Sequence, residues 1–317
     1  MSTGTVPSTT AEARTARRPR HNPRDRAQAR AGLLLSTPFV ILFLVFIAWP
    51  VVQSMFMSFT DMLIADIRTP FSVDFVGLEN YQTAFQDPVF RKAAINTGVF
   101  VVVGVPLTMA CGLAAAVALN KGITRMRGFF RMGFYTPVIT SIVAVAVVWR
   151  FLLQPDSGLV NTVLGWVGID GPNWLGDTRT ALLSLIIMAT WRNFGTSMII
   201  FLAGLQTVPD ELHEAGAIDG ASASQRFWHI TFPLLRPTLL FVLVTTTIGY
   251  LQFFEEPFVM TDGGPLNSTI SASMYTYRQF GYGNYGVAGA MAYLTFIVIA
   301  VVTVIQFRLT RERGEQS

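Results

Sequence analysis

The stretch Gly204–Pro237, GLQTVPDELHEAGAIDGASASQRFWHITFPLLRP, is a long polar interruption between two strongly apolar segments, and it carries its own helix signals. Thr207 is placed to cap a first helix, with Asp210 three residues on and Pro209 in the first turn, where a missing N–H costs nothing. Gly220 closes that helix, because glycine enters the left-handed conformation that helix C-termini favour. Ser222 and Gln225 form a capping box for a second helix, which runs through Phe227 and Ile230 until Pro233 breaks it. Leu212, Ala215 and Ile218 share one side of the first helix, and Phe227 and Ile230 one side of the second. The pattern is a helical hairpin with an apolar face rimmed by charge. Such a face needs a partner, and on pattern alone the membrane surface is as acceptable as another protein.

The rest of the chain supplies the membrane. Apolar residues make up 51% of the 317 positions and charged residues only 13%, about half the charged share of an ordinary soluble domain. Six stretches reach the roughly 20 apolar residues that cross a 30 Å hydrocarbon core: about 33–57, 95–119, 129–153, 181–204, 234–256 and 287–307. The first is longer than a signal-peptide core and has no small-x-small cleavage site, so it reads as an uncleaved span, with Pro50 as a kink. The fold class that follows is an all-α membrane protein: six transmembrane helices over residues 31–310, with the hairpin at 205–233 between the fourth and fifth. Residues 1–30, rich in Arg, Ser, Thr, Ala and Pro, are expected to be a disordered basic tail, and 311–317 a second short tail.

Basic residues set the direction. Placing the amino terminus in the cytoplasm puts the tail arginines, Lys121, Arg125, Arg127, Arg131, Arg226, Arg236, Arg308, Arg311 and Arg313 inside. They outnumber Arg68, Arg91, Lys92, Arg150, Arg179 and Arg278 on the other side, as the positive-inside rule asks, so both termini and the hairpin are expected in the cytoplasm. The same rule accounts for the basic pI near 9.5 without nucleic acid, for which no basic patch interleaved with aromatics is present. The lone Cys111, inside an apolar span, rules out a disulfide within the chain and reads as a small packing residue. The outer segments 58–94, 154–180 and 257–286 are rich in turn residues. The last carries Tyr275, Tyr277, Phe280, Tyr282 and Tyr285, which suit an interfacial aromatic belt better than a ligand site, and an Asn267-Ser268-Thr269 glycosylation pattern of a kind that recurs by chance.

Parts for catalysis are missing. His21, His213 and His229 form no metal-ligand spacing, no G-x-S-x-G elbow occurs, and no glycine-rich run ends in Gly-Lys-Ser/Thr to hold a nucleotide. No catalytic residue and no metal site is assigned, and any energy the protein uses must come from another subunit or an ion gradient. Within the spans, Arg192 in Trp191-Arg192-Asn193-Phe194-Gly195 is costly, about 2.5–3.5 kcal/mol at mid-span on insertion scales, and must face the bundle or water. Arg192, Asn193 and Thr196 share a face of the fourth helix; Thr246, Tyr250 and Phe253, at i, i+4 and i+7, share a face of the fifth. Hydroxyl, amide and ring together suit a sugar, and equally suit ordinary interhelical hydrogen bonding. Glu255 and Glu256 are expected at the outer end of the fifth helix, solvated or paired with an outer Arg.

Glu214-Ala215-Gly216, three residues, Gly220, nine residues, then Ile230-Thr231-Phe232-Pro233 resembles the EAA signature of permease subunits of binding-protein-dependent ABC importers, departing from it at Gly216 (for Ala) and Phe232 (for Leu). Ser58-Phe59-Thr60-Asp61, Gly77–Tyr81, Asn173-Trp174-Leu175-Gly176, Phe201–Gln206 and Met260–Pro265 resemble, in order and spacing, the carbohydrate-uptake branch similar to the maltose and glycerol-phosphate systems. The resemblance covers about residues 33 to 310. It implies a type I importer permease in the bacterial cytoplasmic membrane, whose Glu214, Ala215, Gly216, Gly220, Ile230 and Pro233 dock on a separate ATPase, and whose Arg192, Asn193, Thr196, Thr246, Tyr250 and Phe253 line a substrate path. It also implies two ATP-binding subunits that carry ATP and Mg, a second permease of different sequence, an extracytoplasmic sugar-binding protein and surrounding lipid, with no cofactor in this chain. An ion-coupled secondary transporter is the alternative, and it expects carboxylates buried at mid-span; a structural membrane protein is a third reading.

Overall fold

The computed structural model describes residues 23–69, 73–122 and 126–311, and the regular structure among them is helical, with one isolated antiparallel bridge between Thr60 and Phe75. The chain divides into two compact units after Ser54. In the first, α1 (Pro23–Phe43) passes through a π-turn at Leu44–Ala48 into α2 (Trp49–Met57). The wide turn sits just ahead of Pro50, whose ring would otherwise clash with a carbonyl one turn back. The helix starts at Pro23, within the segment expected to be disordered to residue 30, because proline at a first helical position is already set for a helix. The tail arginines Arg14, Arg17, Arg18 and Arg20 lie outside the described residues.

The second unit opens with a folded outer cap. A 3₁₀ turn at Ile64–Arg68 and α3 (Glu79–Gln86) follow the chain out of the first span. Two of the stretches singled out above meet here: Asn80 Nδ2 donates to the carbonyls of Ser58 (3.0 Å) and Thr60 (2.7 Å), and the Ser58 and Tyr81 hydroxyls are 2.8 Å apart. Their spacing encodes a turn lock.

Next, α4 (Pro88–Val117) begins about two turns before the apolar stretch does, because Asp87 caps it, accepting from the N–H groups of Val89 (2.7 Å) and Phe90 (3.1 Å), with Pro88 in the first turn. A π-turn at Ala118–Gly122 ends it. The expected third span is broken: α5 (Arg127–Ile139) and α6 (Ile142–Leu152) meet at 97°. Thr140 is extended and Ser141 is non-helical there, and the Thr140 hydroxyl donates to the freed Thr136 carbonyl at 2.8 Å. After α7 (Leu159–Trp166), α8 (Ala181–Leu205) forms the centre of the unit. Phe100 and Val105 of α4 and Leu185, Ile186, Met188 and Ala189 of α8 make one buried cluster; Ala116 and Leu119 with Met198, Phe201 and Leu202 make a second nearer the C-terminal ends. The two helices therefore run parallel along their length. They approach closely through small residues, since a Cβ on Gly112 would lie 2.6 Å from the Ser197 Cβ; Gly104 does the same for the helix carrying Tyr250, whose ring would lie 2.7 Å from an added Cβ.

The hairpin comprises α9 (Asp210–Ile218), α10 (Ala223–Arg226), a π-turn at Phe227–Thr231 and α11 (Phe232–Leu234). α12 (Arg236–Leu251) follows at 67° to the helix before it. Short helices α13 (Glu255–Met260) and α14 (Ala272–Gly281) lead to α15 (Tyr285–Arg311). Four helices are long and apolar enough to span, and the two bent pairs bring the total to six among the described residues. Cys111 faces outward from α4, so it is exposed where a packing role was expected. In the 257–286 segment Tyr277, Phe280 and Tyr282 are exposed as a belt requires, but Tyr275 donates to Asp87 Oδ2 at 2.7 Å and ties α14 to the start of α4. Thr269 is buried with its hydroxyl on the Gly264 carbonyl at 2.8 Å, which gives the Asn267-Ser268-Thr269 pattern a folding role.

Candidate functional site

The hairpin is built by local rules. Gly220 has φ of +80°, the Ala221 N–H donates to the Gly216 carbonyl (2.9 Å) and the Gly220 N–H to that of Ala217 (3.1 Å), so α9 ends in a full Schellman motif. Ser222 caps α10 reciprocally with Gln225. Two expectations fail at the edges. Pro209, not Thr207, precedes α9; the Thr207 hydroxyl instead donates to the Gly204 carbonyl at 2.8 Å, closing the last turn of α8, while Asp210 and Glu211 face the positive end of α9. Pro233 does not break the second helix, because the π-turn at Phe227–Thr231 widens the ladder ahead of it and moves the bend to Leu235.

Contacts fix the angle between the two arms. Arg226 Nη1 donates to the His213 carbonyl at 3.0 Å, and the Thr231 hydroxyl lies 3.5 Å from His213 Nε2. Gly216 lies under Arg226 and Ile230: an added Cβ would stand 3.2–3.3 Å from their side chains. The departure from alanine at this position is thus matched by the arm packed over it. Phe227 and Ile230 are half-buried by this packing, whereas Leu212, Glu214 and Ala215 are exposed and Ile218 is 86% exposed. No residue of α9 is buried.

The hairpin joins the ends of α8 and α12, and the same two helices line a cavity of about 320 Å³. All six residues expected on the path, Arg192, Asn193, Thr196, Thr246, Tyr250 and Phe253, border it. They do not play one part. Arg192, Asn193 and Thr246 are half-buried and Thr196 is exposed, which leaves their polar atoms available to the cavity; Arg192 Nη1 reaches Asn193 Oδ1 only at 3.4 Å, a weak bond. Tyr250, in contrast, is a wall. Its hydroxyl is 2.7 Å from Thr108 Oγ1, which donates to Thr190 Oγ1 at 3.3 Å; a hydroxyl carries one proton, so Tyr250 is the donor to Thr108. Its ring meets Phe100 edge-on at 5.0 Å. Phe253 falls beyond the end of α12 at Leu251, so the stripe expected on one helix face is completed by a turn; the ring stacks on Phe100 at 3.9 Å.

One expectation is overturned. Glu255 is exposed, but Glu256 is only 5% exposed, borders the cavity with Arg192, and its Oε2 has no hydrogen-bond partner among the described residues. The break at Gln252–Phe254 turns α13 back against α6 and α8 and carries this carboxylate inward. Thr245, Gln252 and the Thr108–Thr190 pair also escaped the sequence reading; polar residues within apolar helices were the available signal.

Comparison with known proteins agrees with this geometry. Residues 104–312 match the model of the "binding-protein-dependent transport system inner membrane component" family. The arabinooligosaccharides transport system permease protein AraP of Bacillus subtilis is 34% identical over 88% of each chain. The lactose transport system permease protein LacF of Rhizobium radiobacter is 35% identical over 89% of this chain and 94% of its own. The trehalose/maltose permease protein MalF of Thermococcus litoralis is 33% identical over 91% and 96%. Among solved structures, a chain of a bacterial ABC transporter involved in alginate import superposes with a TM-score of 0.75 at 25% identity, covering 90% of this chain and 98% of that one. The chain belongs to the inner-membrane components of binding-protein-dependent transport systems, in the carbohydrate-uptake branch of the ABC permeases.

Proposed function

We propose that this multi-pass membrane protein is a permease subunit of an ATP-driven importer for a di- or oligosaccharide, with Glu214, Ala215 and Gly220 presenting the docking surface for a separate ATPase. The observation that carries the reading is the continuity of α8, hairpin and α12: the two helices that end at the hairpin supply most of the lining of the polar cavity. A displacement of the hairpin is therefore applied directly to the cavity walls. The exposed face of α9 is where a partner would sit, and both termini and the hairpin belong on the cytoplasmic side by their basic residues.

In this reading two ATP-binding subunits, which carry ATP and Mg, close and pull on the hairpin. A second permease, different in sequence, completes the path, and an extracytoplasmic binding protein delivers the sugar. The named relatives that transport arabinooligosaccharides, lactose and trehalose/maltose support the substrate class. A cavity with amide, hydroxyl and aromatic groups has the means to hold a sugar, and the ligand shifts the equilibrium only through its different affinity for the two states. Buried Glu256 is the kind of group an ion-coupled carrier would use, but the family is one of binding-protein-dependent systems.

The test is uptake in cells and ATP hydrolysis by the purified complex. Uptake should survive an ionophore and stop on ATP depletion, and Glu214→Lys should abolish sugar-stimulated hydrolysis while the complex still assembles. Uptake that collapses with the ionophore, or normal stimulation in Glu214→Lys, refutes the proposal.

A further inference from the structure

At the opposite end of α4 and α8 from the hairpin lies a separate cavity of about 460 Å³, within the range of small-ligand sites. Lys92 and Arg179 stand at its polar end together with Thr178 and Ser268, while Val99 and Leu183 form part of its apolar wall. No carboxylate lines it. Lys92 commits one of its three N–H groups to the Leu266 carbonyl at 2.8 Å and keeps two. The Arg179 guanidinium makes no ion pair among the described residues; the one nearby carboxylate contact, Asp177 Oδ1 at 2.9 Å, is to its backbone N–H.

Ser268 supplies an independent observation. It is 7% exposed, and its Oγ has no hydrogen-bond partner among the described residues. Buried hydroxyls are nearly always paired, so an unpaired one lining a cationic cavity points to a ligand. Asn96 holds the loop that carries it, donating to the carbonyls of Asn267 and Ile270, both at 3.0 Å. Polarity is graded along the helices: Val99 lies two turns into α4 from Lys92, about 10 Å deeper in the span.

We propose that this cavity binds the phosphate-bearing headgroup of an anionic phospholipid, with Lys92 and Arg179 at the phosphate, Ser268 and Thr178 as hydroxyl partners, and the first acyl carbons against Val99 and Leu183. Lysine and arginine with hydroxyl donors are phosphate chemistry. A free anion has no use for the apolar wall that continues into the span, and a neutral sugar has none for two cations. Under the orientation proposed above the lipid belongs to the outer leaflet; the site's chemistry does not depend on that orientation or on transport.

The experiment is native mass spectrometry of the assembled transporter in mild detergent, exchanged against phosphatidylglycerol or phosphatidylcholine. The wild type should retain phosphatidylglycerol preferentially. Lys92→Gln with Arg179→Gln should lower that retention about thirtyfold, Arg179→Gln alone about fivefold, and Lys92→Arg should preserve it. Equal retention of the two lipids, or unchanged retention in the charge-removed variants, overturns the proposal. Displacement of the lipid by equimolar inorganic phosphate assigns a free-anion site and overturns it too. So does a photocrosslinker at position 183 that labels a protein subunit instead of lipid. Because Arg179 precedes α8 and is exposed, its single variant keeps the test open if the double variant does not assemble.

Discussion

Replacing Gly220 by valine tests the coupling element at its most local point. The backbone there has φ of +80°, and no atom outside its neighbours lies within 4 Å of where a Cβ would be. The cost is therefore conformational and not steric crowding. A left-handed L-residue costs about 1–2 kcal/mol, and a β-branched one lies at or above the upper figure. If about 2 kcal/mol falls on the hairpin, the ratio of correctly closed to open arms drops roughly thirtyfold. None of α9 is buried in the bundle, so the spans and their assembly should be untouched. The assay is ATP hydrolysis by the reconstituted complex with and without sugar-loaded binding protein, with size exclusion as the assembly check. Gly220→Val should lose the stimulated component and keep the basal one. Gly220→Asn, whose residue tolerates the left-handed region, should lose only a few-fold. Full stimulation in the valine variant, or equal loss in both, refutes the reasoning.

Three further outcomes follow from the same contacts. Gly216→Ala should leave stimulated hydrolysis within about two-fold, since its helix gain of about 1 kcal/mol offsets a few tenths of an ångström demanded of the flexible Arg226 and Ile230 chains, whereas Gly216→Leu should abolish it. Tyr250→Phe, which removes the donor to Thr108, should lower the thermal midpoint by an amount matching about 1 kcal/mol and leave uptake in place; Tyr250→Ala opens a void at Phe100 and should cost about 3–5 kcal/mol. Burial and then the Asp87 carboxylate that it donates to push the Tyr275 hydroxyl up from 10.0 to about 12. A raised folded value means that the stabilisation is fully present below about pH 10 and lost as pH climbs through about 12. Tyrosinate absorbance should show one phenol titrating late, absent in Tyr275→Phe, and thermal stability should not respond to this group between pH 5 and 9.

The spans were legible because hydropathy sums over some twenty residues, so local errors cancel. The hairpin was legible because Gly220, Ser222 and Gln225 act through bonds to residues three to five positions away. What the sequence hid depends on packing at long range. The 97° bend at Thr140–Ser141 falls in a run where Thr136, Pro137, Thr140 and Ser141 dent the hydropathy without ending the span, and the Pro233 effect was absorbed by a π-turn. Asp87-Pro88 was a readable cap, but it lies ahead of the apolar window that marked the second span. Glu256 was misplaced because a helix assumed to continue past Leu251 ends there. The six path residues were found by face-sharing on two helices, and only the coordinates separate Tyr250 and Phe253, held by Thr108 and Phe100, from the residues whose polar groups stay open.

The Tyr250–Thr108–Thr190 hydroxyl chain tethers α12 at one level to both α4 and α8. A second tether, from Gln306 Nε2 to Thr247 Oγ1 at 2.9 Å, lies within one turn of it, and a rod fastened over so short a length can swing about it but cannot slide. From Tyr250 to Arg236 is about 21 Å of helix at the usual rise, so a tilt of about 10° carries the lower end about 4 Å sideways while the fastened level barely stirs. The lever has its fulcrum at the cavity, and small angular changes there correspond to large excursions at the hairpin.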